Sequence, residues 1–227
     1  DHPKLLQFYQ QFYQPERVLV VIDGDLTAAE ADALISKEWA SWQANAPTPA
    51  AVARPQAAKD ATTRLLREPV AQAHFGFAFS ADDLDTTGRA DLALLAAVLG
   101  QGESSRLVRE LQYERQLVNG IFAYGFDPSG PGLLVVGGMT DGERLRDALD
   151  AVIRVLIRVA AVGVNPDALA RAKAQLLAQS IFQSETVQDE ASRLAHYELL
   201  RGDWREDGRE RTEIRSATPS RLQALAQ

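Results

Sequence analysis

The stretch Leu99-Gly100-Gln101-Gly102-Glu103-Ser104-Ser105-Arg106-Leu107-Val108-Arg109-Glu110-Leu111 decides how this chain is read, because it separates two helical patterns without offering any catalytic chemistry. Residues 86–99 before it carry an Ala/Leu-rich helical face, and Gly100 and Gly102 let the chain leave that helix. Ser104 or Ser105 is placed to cap a second helix in which Leu107, Val108 and Leu111 share a face and Arg106, Arg109 and Glu110 point outward. A nucleophile elbow needs Gly-x-Ser-x-Gly after a strand, and here the preceding element is a helix. A dinucleotide fingerprint needs a third glycine and a preceding strand, and both are missing.

Working outward, residues 62–69 and 72–81 read as strands, the second placing Phe75, Phe77 and Phe79 on one side of the pleat, with a turn at 82–85. Residues 118–126 and 133–137 read as two more, joined through Asp127-Pro128-Ser129-Gly130-Pro131-Gly132. An amphipathic helix over 143–161 carries Leu145, Leu149, Val152, Ile153 and Leu156 and stops at Gly163. Asn165-Pro166 starts the next helix with a cap followed by proline. That helix runs toward Leu200 with an interruption at 180–184, closes at Gly202-Asp203, and is followed by a last helix over 219–226. Strands followed by blocks of helices, without strict alternation, favour an α+β fold: an antiparallel-rich mixed sheet with helices on one face.

The N-terminal part reads as helix, strand, helix. Leu5, Leu6, Phe8, Tyr9, Phe12 and Tyr13 recur at helical spacing until Pro15 ends the element. Residues 18–22, Val-Leu-Val-Val-Ile, are expected as a buried strand. After the turn Asp23-Gly24-Asp25, Thr27 and Glu30 have capping-box spacing for a helix reaching about Ala44. Pro47, Pro49 and Pro55 then sit among alanines and small polar residues with no periodicity, the texture of a linker.

Composition removes several function classes. The 227 residues are 46% hydrophobic and 24% charged, which suits one large or two small soluble domains. A net charge of −7 argues against an extended phosphate-binding surface and so against nucleic acid. There is no cysteine, so disulfides, thiolate metal sites and a cysteine nucleophile are excluded. No apolar run approaches membrane-spanning length, and the opening Asp-His-Pro-Lys reads as the start of a processed or trimmed piece. The three histidines, His2, His74 and His196, form no His-x-x-x-His or His-x-x-Glu-His pair, so no local zinc motif is present. Gly137-Gly138-Met139-Thr140-Asp141-Gly142 lacks the Gly-Lys-Ser/Thr ending of a phosphate loop and reads as an ordinary turn.

The order of elements, the linker, the segment Phe12-Tyr13-Gln14-Pro15-Glu16-Arg17-Val18-Leu19-Val20-Val21-Ile22-Asp23-Gly24-Asp25, residues 99–111, and Gly163-Val164-Asn165-Pro166-Asp167-Ala168-Leu169-Ala170-Arg171-Ala172-Lys173 together resemble the M16 zinc metallopeptidases, the pitrilysin and insulinase group. The resemblance implies the M16 (LuxS/MPP-like) fold. It also implies a catalytic domain with His-x-x-Glu-His, joined through a linker to a second domain of related fold. On that reading residues 1–45 are the C-terminal part of the first domain, 46–60 the linker and 61–227 the second, non-catalytic domain.

Zinc is then expected in the parent protein and not in this chain, which would be inactive alone. The implied partners are a peptide substrate, the missing catalytic domain and a complementary M16 half, with no nucleic acid and no membrane; a bacterial periplasmic or exported setting fits relatives of this type. Some M16 halves contribute an arginine and a tyrosine that bind substrate. Alignment through Glu110-Leu111-Gln112 and Gln116-Leu117-Val118-Asn119 puts Gln112 and Asn119 at those positions. Two alternatives stand beside this reading: an inactive scaffold or assembly subunit of the same fold, and an unrelated α+β protein-binding domain.

Overall fold

A computed structural model describes residues 1–43, 60–81, 84–126 and 132–227, and the chain divides into two compact units. The expected linker over 46–59, residues 127–131 of the expected turn at 127–132 and residues 82–83 of the turn at 82–85 lie outside the described residues.

The larger unit, Arg54–Ser180 with Arg205–Gln227, holds an antiparallel sheet. Its strands are β1 (Ala73–Ala81), β2 (Gly120–Phe126) and β3 (Gly132–Thr140), in the order β1-β3-β2. Register places Phe77, Val136 and Ala123 side by side on one face, and Ala78, Val135 and Tyr124 side by side on the other. Helices cover the first face, as the α+β reading requires. The helix α3 (Thr86–Gly100), capped by the Asp85 side chain on the Gly88 amide at 2.8 Å, packs on β2 and β3. The unit also holds α4 (Leu145–Val162), most of α5 (Pro166–Phe182), α7 (Glu206–Ser216) and α8 (Pro219–Leu225); α7 and α8 pack on α3, and α8 also packs on α4. One core joins Leu94, Leu95 and Leu99 of α3 to Val136, Ile121, Val152, Val155, Leu169, Ile214 and Leu222. Each such side chain, fully buried, contributes about 1.5–3 kcal/mol.

Gly100 sets how closely helix and sheet meet. A Cβ there would lie 2.3 Å from the Ala123 amide nitrogen, so α3 reaches the backbone of β2 only because this residue has no side chain. Its part is thus close approach rather than release of the helix, which runs one residue past Leu99.

Several details depart from the sequence reading. Residues 62–69 are not a strand: Leu65 and Leu66 are exposed, and among the described residues no partner strand accompanies them. The buried side of α4 is Ala148, Ala151, Val152, Val155 and Val159, while Ile153 faces out; small residues at the crossing let the helix lie close, and the bulkier Leu145, Leu149 and Leu156 flank the contact. The helix α7 escaped the reading because its sequence is almost wholly polar, held by Ile214 and the buried, salt-bridged Asp207.

The smaller unit comprises Asp1–Ala53 and Ile181–Trp204. It contains α1 (His2–Phe12), α2 (Ala28–Trp39) and α6 (Val187–Arg201). The Thr27/Glu30 capping box forms as expected, and α2 ends at Trp39, short of Ala44. The interruption after α5 is real, with Thr186 capping α6 and Gly202 closing it in the left-handed conformation. Residues 18–22 are the main correction here: they form no strand and make no ladder bond among the described residues, and Val18, Leu19, Val20 and Ile22 are exposed. A strand is completed only by a neighbour, and the described residues supply none.

Candidate functional site

The two positions singled out from sequence, Gln112 and Asn119, are carried by one turn of chain. The second helix of the opening stretch winds as a π-helix over Val108–Glu114, which bears the half-buried Gln112. Its end is one residue wider than an ordinary helix terminus, with the Leu117 amide bonded to the Leu111 carbonyl at 2.8 Å. Gln116 turns the chain with φ +49°, the one positive φ outside glycine among the described residues. Ser105 helps start this helix differently from a side-chain cap: its hydroxyl donates backward to the Gly102 carbonyl at 2.7 Å.

Three side chains from the junction of β3 and α4 fasten residues 116–119. Arg144 donates to the Gln116 carbonyl at 2.8 Å, Thr140 donates to the Leu117 carbonyl at 2.7 Å, and the Asn119 amide group donates to Asp141 at 3.1 Å. The Asn119 main chain adds a bond to the Met139 carbonyl at 2.8 Å, which opens the β2-β3 ladder. Below, Leu107, Leu111 and Val118 anchor the segment in the core. Asn119 is therefore exposed but held, with its side chain turned to Asp141. The ordinary turn expected over Gly137–Gly142 is corrected: Gly137–Thr140 are the end of β3, and Thr140 and Asp141 belong to this clamp.

Next to this segment the sheet shows its uncovered face. Phe122, Tyr124 and Phe126 alternate along β2 on the side away from α3, and they are 44%, 44% and 51% exposed. Phe122 and Tyr124 stack with ring centroids 5.9 Å apart. The Phe122 ring lies over Gly137, where a Cβ would come within 2.5 Å of it, so the neighbouring strand offers bare backbone beneath the ring. Across the sheet, Gly76 and Ala78 of β1 continue the same face, and both are exposed. An open aromatic surface beside a strand edge is suited to an extended, apolar chain. The alternation Phe122, Tyr124, Phe126 was its signal in the sequence.

The charged groups fall into structural sets. Arg106 is half-buried instead of outward, with Nη1 shielded from solvent and unpartnered in the described residues; burial, then the positive charges of Arg158 and Arg109, lower its guanidinium below the usual range. Arg109 stays exposed, beside Glu114 at 3.3 Å, and Arg158 makes a two-point pair with Glu110. Asp91 on α3 is buried and receives two bonds of 2.9 Å from Arg221 on α8. Burial raises the Asp91 carboxyl, against the pull of Arg221, while hydrogen bonding to Asp91 raises the Arg221 guanidinium. Among the described residues no group of three His, Asp or Glu side chains is placed to hold a metal ion. His74 and His196 are both exposed, the latter edge-on to Tyr197.

Comparison with known proteins bears on this arrangement. The family model described as the peptidase M16 inactive domain matches residues 1–176. An uncharacterized zinc protease of Bacillus subtilis, YmxG, is 24% identical over 201 residues, covering 87% of this chain and 47% of that protein. The chain spans about half the length of the curated relatives it matches. Among solved structures, a protease from Helicobacter pylori superposes with a TM-score of 0.83 at 20% identity, over 100% of this chain and 55% of that one. A peptidase M16 inactive domain from Pseudomonas fluorescens gives 0.74 at 22% identity, over 89% of this chain and 48% of that one.

Proposed function

The chain belongs to the peptidase M16 inactive-domain family, and from that premise we propose that it is the non-catalytic portion of a zinc metallopeptidase that cleaves peptides or unfolded segments. In this reading residues 1–45 close a first M16 domain, 46–60 link, and 61–227 form the second domain, which walls the chamber facing a complementary catalytic half. The observation that carries it is the one-sided sheet. Helices cover one face, while Phe122, Tyr124 and Phe126 leave the other open to an extended substrate.

Gln112 and Asn119 stand where other M16 halves place a substrate-binding arginine and tyrosine. Replacing a cation and a phenol with two neutral amides leaves hydrogen-bond donors but no charge for a substrate carboxylate or carbonyl. This half then shapes and admits substrate, and the strong contacts at the scissile bond come from the partner. Zinc belongs to the catalytic half, where it would activate water.

The test compares this chain with the full-length protein. Peptide hydrolysis and stoichiometric zinc are expected in the full-length protein and absent from the purified chain. Hydrolysis by the chain alone, or a full-length sequence without His-x-x-Glu-His and without activity, overturns the reading; the second result selects the scaffold subunit.

A further inference from the structure

Arg106 carries a half-buried positive charge that no carboxylate answers among the described residues. On a helix its natural partner is Glu110, one turn on. Glu110 is instead engaged at both oxygens by Arg158 of α4, at 3.1 and 3.2 Å. The next carboxylate, Glu114, lies 3.3 Å from Arg109. Three guanidinium groups thus share two carboxylates, and Arg106 is the one left over.

Its surroundings make that state costly. Burial, then the positive charge of Arg158, depresses the Arg106 guanidinium against the pull of Glu110, and Arg109 adds to the repulsion. Arginine cannot relieve burial by losing its proton, as a lysine or histidine can, because it stays charged throughout the physiological range. A desolvated charge of that kind calls for a counter-ion. The group is also held ready for one: Nη1 is shielded from solvent, whereas Nε and Nη2 are not shut off in this way and carry no hydrogen bond to any described residue. That edge is the fork on which arginine takes two oxygens of one anion. The side chains of Arg158 and Arg109 are exposed and raise the potential at the same place. The excess is local, since the chain as a whole carries −7.

We propose that Arg106, with Arg158 and Arg109 beside it, is a binding site for a small oxyanion, a phosphate or carboxylate group seated between the π-helix and α4. The Nε–Nη2 edge of Arg106 donates to two oxygens of the anion, and the other two guanidinium groups supply charge while keeping their own carboxylates. The anion thereby joins α4 to the helix that bears Gln112 and leads into residues 116–119.

Inorganic phosphate and acetate are the probes, each titrated into the full-length protein and into this chain against sodium chloride of equal ionic strength. The melting temperature should rise with a saturating dependence on at least one of them, and the side-chain Nε–Hε signal of Arg106 should move over the same concentrations in a nitrogen-edited spectrum. A response to phosphate alone assigns a phosphate group, and a response to acetate alone assigns a carboxylate. Arg106→Gln should weaken binding at least about tenfold, and Arg106→Lys, which keeps the charge and loses the fork, should weaken it as well. Arg215→Gln removes an equal charge from an exposed position of α7 and should leave binding within about twofold. Equal binding by Arg106→Gln and the parent overturns the proposal, as does a shift that merely follows ionic strength or no response to either anion. So does binding in the chain that is lost in the full-length protein, since a carboxylate of the remaining polypeptide would then hold Arg106.

Discussion

Arg144 and Gln116, 28 residues apart, are joined by a 2.8 Å hydrogen bond from the guanidinium to the main-chain carbonyl, and Gln116 holds a left-handed φ of +49°. The clamp keeps in place a backbone conformation that costs a residue with a Cβ about 1–2 kcal/mol. Gln116→Gly should therefore raise the melting temperature by about 2 °C, the larger freedom of glycine in the unfolded chain offsetting part of the gain. Arg144→Met should lower it and speed exchange of the Leu117 and Asn119 amides. Thermal unfolding and amide exchange check both, and a lower melting temperature for Gln116→Gly would remove the strain from the account.

Gly100 makes a different demand. An added methyl would meet the Ala123 amide at 2.3 Å and the Phe122 carbonyl carbon at 2.7 Å, both backbone, so α3 must move off β2. Gly100→Ala is expected to cost about 2–3 kcal/mol in denaturant unfolding. Gly76→Ala is the control, because nothing lies within 4 Å of its Cβ position, and it should stay within about 0.5 kcal/mol of the parent.

What the sequence could and could not show follows from range. Caps are local, so Thr27, Asn165 and the Pro166 start were legible from three or four residues, and the alternation of Phe75, Phe77 and Phe79 placed β1. Residues 18–22 have the composition of a strand and form none among the described residues, because pairing is a property of two segments and a run read alone does not show its partner. Arg106 looked like a surface charge because outward and inward positions on a short helix are told apart only by what packs beside them. The clamp of Thr140, Asp141 and Arg144 on residues 116–119 joins positions 22 to 28 apart and left no local signature.

The Asp91–Arg221 pair links α3 to α8 from a buried carboxylate. Arg221→Leu strands that charge and should cost about 3 kcal/mol near neutral pH, whereas the double change to leucine at both positions should recover most of it. The pH sign follows from burial. Asp91 already has its carboxyl raised in the folded state, so its contribution is largest below the unfolded value near pH 4 and is lost as pH rises through the folded value. Without Arg221 the rise is greater, and the single variant should lose less relative to the parent as pH falls. Denaturant unfolding at several pH values reads this directly.

Glu206 has the opposite sign. The Thr86 hydroxyl and Arg209 bond to its carboxylate and lower its titration, and Arg89 adds a contact at 3.2 Å. Its contribution is present above the unfolded value near pH 4 and disappears as pH falls through the lowered folded value. Glu206→Gln should be less stable at pH 7 and show a flatter acid limb. An acid limb as steep as the parent's would mean that other carboxylates carry it.

The open sheet face gives the last prediction, and it concerns substrate. Phe122 and Tyr124 are each 44% exposed and stack on one another, so removing the rings opens no cavity in the core. If an extended peptide lies on this face, each ring supplies apolar contact worth about 1–2 kcal/mol, and the contact is the same in the bound substrate and the transition state. Uniform binding of that kind appears in KM and not in kcat. Phe122→Ser combined with Tyr124→Ser, made in the full-length protein, should raise KM for unstructured peptides roughly 30-fold or more with kcat nearly unchanged. Apolar peptides should suffer more than polar ones of equal length. A fall in kcat at constant KM would place these rings in the alignment of the catalytic half, and no change in either would take the substrate off this face.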